Sequence, residues 1–297
     1  MVHFVGIDAG ASNLRLRIEN AAGDVVGESW GRPASLTQGA ERAAASIRDA
    51  IIQALFGTNL TIDQCAIGCG IAGCRQEALK RRVCNLLADA ASITLISDGY
   101  AALLGAHGGK PGAIVVVGTG SVGLSLDDQG KIRQVGGWGP LGGDEGSGCW
   151  IGREAVRACL RCRDDGRPCS TADTNFFVEI HEALGGEHNA ILDWLRLATP
   201  TTLAALAPAV LDHAASGSEE AEKIIDRATA ELERLVRLVG ENGKLLTALD
   251  GGLAWPLKGG LPAEVSKWVT LPAADAISGA LQVARGLAPP ENYGDID

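Results

Sequence analysis

Apolar and polar positions alternate from the start of the chain. Residues 2 to 8 form an apolar run ending in Asp8, and Leu14, Leu16 and Ile18 then alternate with Arg15, Arg17 and Glu19, the period of two of a half-buried strand. The turn Asn20-Ala-Ala-Gly23-Asp24 leads into a third strand at Val25 and Val26. The start therefore reads as an antiparallel meander whose first turn is the glycine-containing Asp8 to Asn13. A helix is predicted over 37–56, with Ala44, Ile47, Ile51, Ile52 and Leu55 on one face. Strand and helix follow twice more, Cys65 to Ile71 before 75–90 and Ile93 to Ser97 before 99–107.

The pattern then restarts. Ala113 to Val117 is a buried strand, Gly118 to Ser121 a tight turn, and Val122, Leu124 and Leu126 alternate as a second strand before the turn Asp127-Asp-Gln-Gly130 and a third strand around Ile132. Strand, glycine turn, strand, turn, strand occurs twice, which predicts a duplicated lobe. Helices are expected at about 145–163, 172–184 and 218–240, then a strand Lys244 to Leu249, the pair Gly251-Gly252, a short strand Trp268 to Thr270 and a final helix over 273–287. The best boundary is the segment Gly108-Gly-Lys-Pro-Gly112. It gives an N-terminal lobe of 1–112 and a C-terminal lobe of 113–297 with helical insertions, the final helix being free to pack back on the first lobe.

Composition narrows the function classes. The 297 residues are 46% apolar and 21% charged, enough to bury a core and unlike a disordered chain. A net charge of −10 repels a phosphate backbone and gives no general attraction to nucleic acid or anionic lipid, so a small-molecule partner is expected. No apolar stretch approaches a membrane span, and the first residues carry no export signal, so a cytoplasmic protein is expected. Eight cysteines spread through such a chain read as reduced thiols, and the lone Cys159-x-x-Cys162 lacks partners for a zinc shell.

The 40 glycines cluster as GIDAG, GCGIAG, VVVGTGS, GGWGPLGGDEGSG and LDGG, a pattern that brings backbone close to a ligand. Gly10 to Asn13 and Gly118 to Ser121 can each turn backbone N–H groups onto a phosphate; either alone fits an ordinary hairpin better, and two in equivalent places shift that balance. No P-loop motif and no dinucleotide fingerprint is present. Three acids stand beside these turns: Asp8 and Asp98 at strand ends, and Asp144 in the glycine-rich segment. Such carboxylates suit magnesium held through water and proton removal from a hydroxyl. Asp98 and Asp144 also precede helical patterns and fit N-caps, and Asp8 fits a turn stabiliser. Trp138 suits either packing or an apolar sugar platform.

GIDAGASNLRLRI, ISDGYAALLGA, VVVGTGSVG, GGWGPLGGDEGSGCWIGREA and ALDGG, in this order and spacing, resemble the N-acetylglucosamine kinase and BadF/BadG/BcrA/BcrD ATPase family of the sugar kinase, Hsp70 and actin superfamily. The resemblance spans about residues 3 to 285 and is most specific over Gly136 to Ala155. It implies an α/β protein of two ribonuclease-H-like, actin-like ATPase lobes around a central cleft for ATP and sugar. Asp8 would organise Mg2+, and Gly10, Ala11, Ser12 and Asn13 would face the transferring phosphates. Asp98 would be the base at the sugar hydroxyl. Gly118, Thr119 and Gly120 would hold phosphates from the second lobe, and Gly251 and Gly252 would flank the adenosine. Ser121, Trp138, Gly139, Asp144 and Ser147 would line the sugar pocket with Ser35, where the family often carries an Asn nearby.

The expected activity is ATP-dependent 6-phosphorylation of an amino sugar, N-acetylglucosamine first and glucosamine second, by a homodimer. An acetyl group wants an apolar wall, a free ammonium a carboxylate. Trp138 and the glycines around it favour the first, whereas the C-terminal run from Pro272 to Leu281 and the compact length look like bacterial glucosamine kinases. A different class, the ATPase activators with an iron–sulfur cluster shared between subunits, is kept open by the cysteines, although Cys159 and Cys162 fall inside a helical pattern. A sugar-binding regulator would need a DNA-binding segment, and the acidic balance argues against it.

Overall fold

The computed structural model describes residues 2–10, 13–166 and 170–293. The first sheet is built from β1 (His3–Ala9), β2 (Leu14–Glu19), β3 (Val25–Gly31), β4 (Cys65–Ile71) and β5 (Ser92–Ser97), interleaved with α1 (Ala40–Leu55) and α2 (Glu77–Leu86). Then come α3 (Asp98–His107), β6 (Gly112–Val117), β7 (Ser121–Leu126), β8 (Ile132–Gly136), α4 (Gly148–Asp165), α5 (Thr171–Ala183), α6 (His188–Leu197), α7 (Pro200–Ala204), α8 (Ala207–Ala215) and α9 (Glu219–Val239). The chain ends with β9 (Thr247–Asp250), α10 (Ala254–Lys258), α11 (Ala263–Ser266), β10 (Val269–Thr270) and α12 (Ala276–Ala284).

The two sheets have one topology. Strands run β3-β2-β1-β4-β5 in the first and β8-β7-β6-β9-β10 in the second, so the third, second, first, fourth and fifth strand of each set lie side by side. In the first sheet β1, β2 and β3 are antiparallel neighbours while β4 and β5 run parallel to β1. A parallel neighbour cannot be reached by a tight turn, and α1 and α2 supply the crossovers. The duplicated meander read from the sequence is thus a duplicated mixed α/β sheet. By contacts the chain divides into two units: residues up to Ile114, Leu124–Arg133 and residues from Leu271 onward form the first, and Val115–Gly123 with Gln134–Thr270 form the second. That differs from a single cut at 112/113, since the first unit also takes the β7–β8 turn region and the C-terminal residues. Gly108 to Gly112 itself is the stop signal of α3, with Gly108 left-handed at its C-cap.

In the first unit the period of two decides which residues meet which helix. Val5, Ile7, Ala9, Leu14, Leu16, Ile18, Ile67, Cys69 and Ile71 form one buried cluster with Ala43, Ile47 and Ile51 of α1. On the opposite face Gly6 of β1 and Ala66, Gly68 and Gly70 of β4 carry almost no side chain. A Cβ at Gly6 would lie 2.5 Å from the Ile277 carbonyl oxygen, and one at Gly68 only 2.0 Å from that of Ala280. So α12 lies directly on the backbone of β1 and β4. It crosses α3 equally closely, since a Cβ on Gly279 would collide with the Ala101 carbonyl oxygen and one on Gly105 with that of Asp275. Burial of Ile277, Ala280 and Leu281 along this helix stabilises the arrangement by about 1.5–3 kcal/mol for each large side chain.

Several boundaries moved. The helix predicted over 37–56 begins at Ala40, because Ser35 caps a single 3-10 turn and Gly39 takes a left-handed φ of 100° before the helix proper. The strand placed at Lys244 is delayed to Thr247, since Glu241 and Asn242 have positive φ and close a turn first. The final helix starts at Ala276, where the Asp275 side chain accepts the Ser278 N–H at 2.9 Å. Helices α6, α7 and α8 were not foreseen. Two of them open with a proline at N1 or N2, which is a helix-start signal as readily as a breaker.

Candidate active site

Asp8 is the last polar position of β1, on the face opposite the α1 core, and in register with Gly70 of β4. Gly70 has β5 on its other side, where Ile96 is its partner and Ile71 pairs with Ser97. Asp8 and Asp98 therefore emerge from the C-terminal ends of two parallel strands with one strand between them, a backbone separation of about 10 Å. The intervening residue has no side chain: a Cβ on Gly70 would meet the Ala101 Cβ at 2.5 Å and the Asp98 Cα at 3.5 Å. Gly70 thus lets α3 drop onto the sheet beside Asp8. The signal for this in the sequence is the run of small residues GCGIAG at the end of a strand.

The two acids differ in state. Asp8 is largely covered and ion-paired with Arg15 across the β1–β2 ladder, Nη2 to Oδ2 at 2.7 Å. Asp98 is accessible at its surface. Even so, desolvation by the protein around it is the largest influence on its carboxyl, and with the Asp8 and Glu291 charges it lifts the pKa above the ordinary aspartate value against the pull of the Gly99 N–H. Asp98 is not the cap of α3. Ser97 holds that position, its hydroxyl accepting the Tyr100 N–H at 3.2 Å, which leaves the Asp98 carboxylate as the first side chain of the helix and free for chemistry.

The rest of the first turn is partly visible. Gly10 closes it, its N–H donating to the Asn13 carbonyl at 2.9 Å, while Ala11 and Ser12 lie outside the described residues. Ser35 stands at a one-residue parallel bridge with Ala72 and is buried. Its hydroxyl is bonded to Thr37 and to the Ala72 carbonyl.

In the second unit the Gly118–Ser121 turn is braced from behind by α4. The Gly148 N–H donates to the Gly118 carbonyl at 2.8 Å and the Cys149 N–H to that of Thr119 at 3.1 Å. Gly118 has no atom within 4 Å of where a Cβ would be, so its face is open. Gly251 backs the same turn. At φ 91° its Cβ would lie 2.4 Å from the Val117 carbonyl oxygen, a site only glycine fits, whereas Gly252 is open. Thr119 and Gly120 complete the turn, and the Asp144 carboxylate lies over it, 2.8 Å from a Cβ position on Gly120 and accepting weakly from the Ser121 N–H at 3.5 Å.

Asp144 is not a helix cap either. It has a left-handed φ of 57°, and Ser147 caps α4, accepting from the Trp150 N–H at 3.2 Å. Desolvation raises the Asp144 carboxyl above its usual range, opposed by N–H groups of Ser121 and Gly139. Ser147 is wholly buried and the Ser121 hydroxyl donates to the Glu145 carbonyl at 2.8 Å, so both are engaged within the fold. Arg153 of α4 reaches back to the Pro140 carbonyl at 2.7 Å and fixes the loop. On that loop Trp138 is 71% exposed and is therefore not a core residue, and Gly139 has a φ of 83° that a side chain would strain.

The pair Cys159 and Cys162 lies inside α4. Cys159 is buried within α4, its thiol donating to the Phe177 carbonyl, and burial pushes it up from its ordinary pKa. Cys74 is pushed up to about 12, largely by burial. Such thiols are poor nucleophiles and poor metal ligands. Among the described residues no three of His, Cys, Asp or Glu are grouped to hold a metal ion, and no helix is long and apolar enough to cross a membrane.

Two mixed sheets of one topology, each with a glycine turn after its first strand, define a two-lobed α/β fold shared by ATP-using kinases. The chain belongs to the BadF/BadG/BcrA/BcrD ATPase family, whose model matches residues 5–269. It is 33% identical to the glucosamine kinase of Vibrio cholerae over 291 residues, 96% of each chain. It is 25% identical to an N-acetylmuramic acid/N-acetylglucosamine kinase of Clostridium acetobutylicum over 85% of this chain and 86% of that one. Among solved structures, one from Chromobacterium violaceum with N-acetylglucosamine kinase as its proposed activity superposes with a TM-score of 0.88 at 31% identity, covering 96% of this chain and 99% of that one. The protein is an enzyme, an ATP-dependent kinase.

Proposed function

We propose that this kinase transfers the γ-phosphoryl group of ATP to the 6-hydroxyl of an amino sugar, with glucosamine ahead of N-acetylglucosamine. The observation that carries the chemistry is the pair Asp8 and Asp98, set at the ends of two parallel strands flanking β4, with Gly70 of β4 between them. A base for a sugar hydroxyl must be a carboxylate with raised proton affinity that still reaches solvent, and Asp98 has both properties. Asp8 offers hard oxygen donors suited to Mg2+, which needs one or two carboxylates besides the phosphates. When bound, the ion would neutralise charge on the phosphates. The turns Gly10–Asn13 and Gly118–Gly120 would do so without a P-loop lysine, through N–H groups other than those of Gly10 and Gly118, which close the turns on Asn13 and Gly120, and Gly251 and Gly252 would flank the nucleotide.

For the sugar, Trp138 and Gly139 offer an apolar wall and Asp144 an acceptor for hydroxyls. Ser35, Ser121 and Ser147, with hydroxyls already bonded, would shape that pocket through the backbone. The order of the two sugars rests on the full-length relative named for glucosamine at 33% identity, against 25% and 27% for curated relatives named for N-acetylglucosamine. This reverses the preference read from Trp138 and the glycines around it. Assembly as a homodimer belongs to the same reading.

The test is coupled ADP release over a panel of hexoses and amino sugars, with the Asp98→Asn variant alongside. Asparagine keeps the size and the acceptor for the Gly99 N–H but cannot take a proton, so kcat should fall at least about 100-fold with the fold retained. A variant keeping more than about a tenth of wild-type turnover removes Asp98 from the base role. Higher kcat/KM for N-acetylglucosamine than for glucosamine reverses the order of substrates.

A further inference from the structure

The residues after α12 lie beyond the span matched by the family model, which ends at 269. They nevertheless return to the start of α3. The Glu291 carboxylate accepts the Ser97 N–H at 3.1 and 3.2 Å to its two oxygens and the Ser97 hydroxyl at 2.5 Å. Ser97 has one proton to give, and its oxygen also receives the Tyr100 N–H as the cap of α3. The Tyr293 hydroxyl, 2.9 Å from Ser97 Oγ and 3.1 Å from Glu291 Oε1, is therefore the donor to this pair.

The segment is tied down elsewhere as well. The Tyr100 hydroxyl donates to the Pro289 carbonyl at 2.9 Å, the Ile132 N–H to that of Asn292 at 2.7 Å, and the Arg75 guanidinium stacks over the Tyr293 ring at 5.5 Å. The capping hydroxyls of Ser170 and Ser218 also meet a carboxylate, that of Asp173, but at Ser97 the carboxylate comes from 194 positions away and takes the backbone N–H as well as the hydroxyl.

We infer that Glu291 is a positioning residue for Asp98: by gripping both the amide and the hydroxyl of Ser97, it fixes the residue from which the Asp98 backbone continues. This rests on the reading of Asp98 as the base. Charge-assisted hydrogen bonds are roughly twice as strong as neutral ones, which suits a clamp. A displacement of about 1 Å at a reacting group costs on the order of 10²-fold in rate, so loosening this clamp acts on turnover before it acts on binding.

Kinetics on the full-length chain test this. Glu291→Ala should lower kcat at least about tenfold with KM for ATP and sugar within about twofold, and Glu291→Gln, which keeps an acceptor for Ser97, should lose only about threefold. Tyr100→Phe, which frees the strap at Pro289 without touching Ser97, should lower the melting temperature and keep kcat. Equal losses of kcat in Tyr100→Phe and Glu291→Ala would reduce Glu291 to general anchoring and overturn the inference. If Glu291→Ala does not fold, Glu291→Gln decides alone, and wild-type kcat in that variant overturns it.

The decisive arm is the cycle with Asp98→Asn. A residue acting through Asp98 has nothing left to position, so adding Glu291→Ala to that background should cost no further turnover. Additive losses overturn the inference while leaving the base in place. An Asp98→Asn variant that turns over freely sinks the base itself.

Discussion

Gly70→Ala adds one methyl group between the two acids. The added Cβ would sit 2.5 Å from the Ala101 Cβ, whereas ordinary carbon–carbon contacts are 3.5 to 4.0 Å, so α3 must retreat by roughly 1 Å at its first turn. Escape sideways is blocked, because α3 is already in backbone contact with α12 through Gly105 and Gly279. Overpacking of this kind costs about 1–3 kcal/mol. In a unit of this size each kcal/mol lowers the melting temperature by about 2–4 °C, so a fall of about 4–8 °C is expected for a loss near 2 kcal/mol. Because Asp98 is the first residue of α3, its carboxylate moves with the helix. A shift of about 1 Å predicts about 100-fold lower kcat, with KM for ATP little changed. The assay is steady-state ADP release beside a thermal melt, on Gly70→Ala and on the double variant Gly70→Ala/Ala101→Gly. The double variant removes the methyl group that clashes and should recover most of the turnover, while helix propensity leaves it about 1 kcal/mol less stable. Near-wild-type turnover in the single variant, or no recovery in the double, would refute the role of Gly70 as the spacer of the two acids.

Turnover should rise with pH through the raised Asp98 pKa, since only the carboxylate accepts a proton, and a flat profile on the acid side would contradict this. Because the folded pKa lies above the unfolded one, the stability linked to Asp98 is greatest below the ordinary aspartate value of about 3.9 and is lost as pH rises through the folded pKa. Asp98→Asn should therefore melt higher than wild type at neutral pH, with the difference gone near pH 3 in paired melts. Ser147→Ala removes the cap of α4 and should cost about 0.5–2 kcal/mol in urea denaturation, and an unchanged midpoint would show the cap to be dispensable. Asp144→Asn, which tolerates the left-handed backbone, should weaken sugar binding by about 1–3 kcal/mol in calorimetric titration and leave nucleotide binding less affected. Equal losses for both ligands would assign Asp144 to the phosphate turn.

The repeated meander was legible because a half-buried strand writes itself as alternation: Leu14, Leu16 and Ile18 against Arg15, Arg17 and Glu19 needed no partner to be read. Cys65–Ile71 was bounded correctly because a strand buried on both faces is a short unbroken apolar run. Asp8, Asp98 and the two glycine turns were visible for the same local reason, as acids and glycines at strand ends. Spatial relations were not. Ser97 and Ser147, and not Asp98 and Asp144, turned out to be the caps, since capping depends on where the first helical residue falls, and tertiary contacts move that boundary by one to three positions. The spacer Gly70 is silent in the sequence because its function is the absence of a side chain at a contact made by a helix that begins 28 residues later. Likewise Glu291 is an unremarkable tail residue until folding brings it to Ser97, 194 positions away. Local periodicity fixes what each segment becomes; which residues share an edge of the sheet is decided only when parallel pairing and close helix packing bring distant segments together.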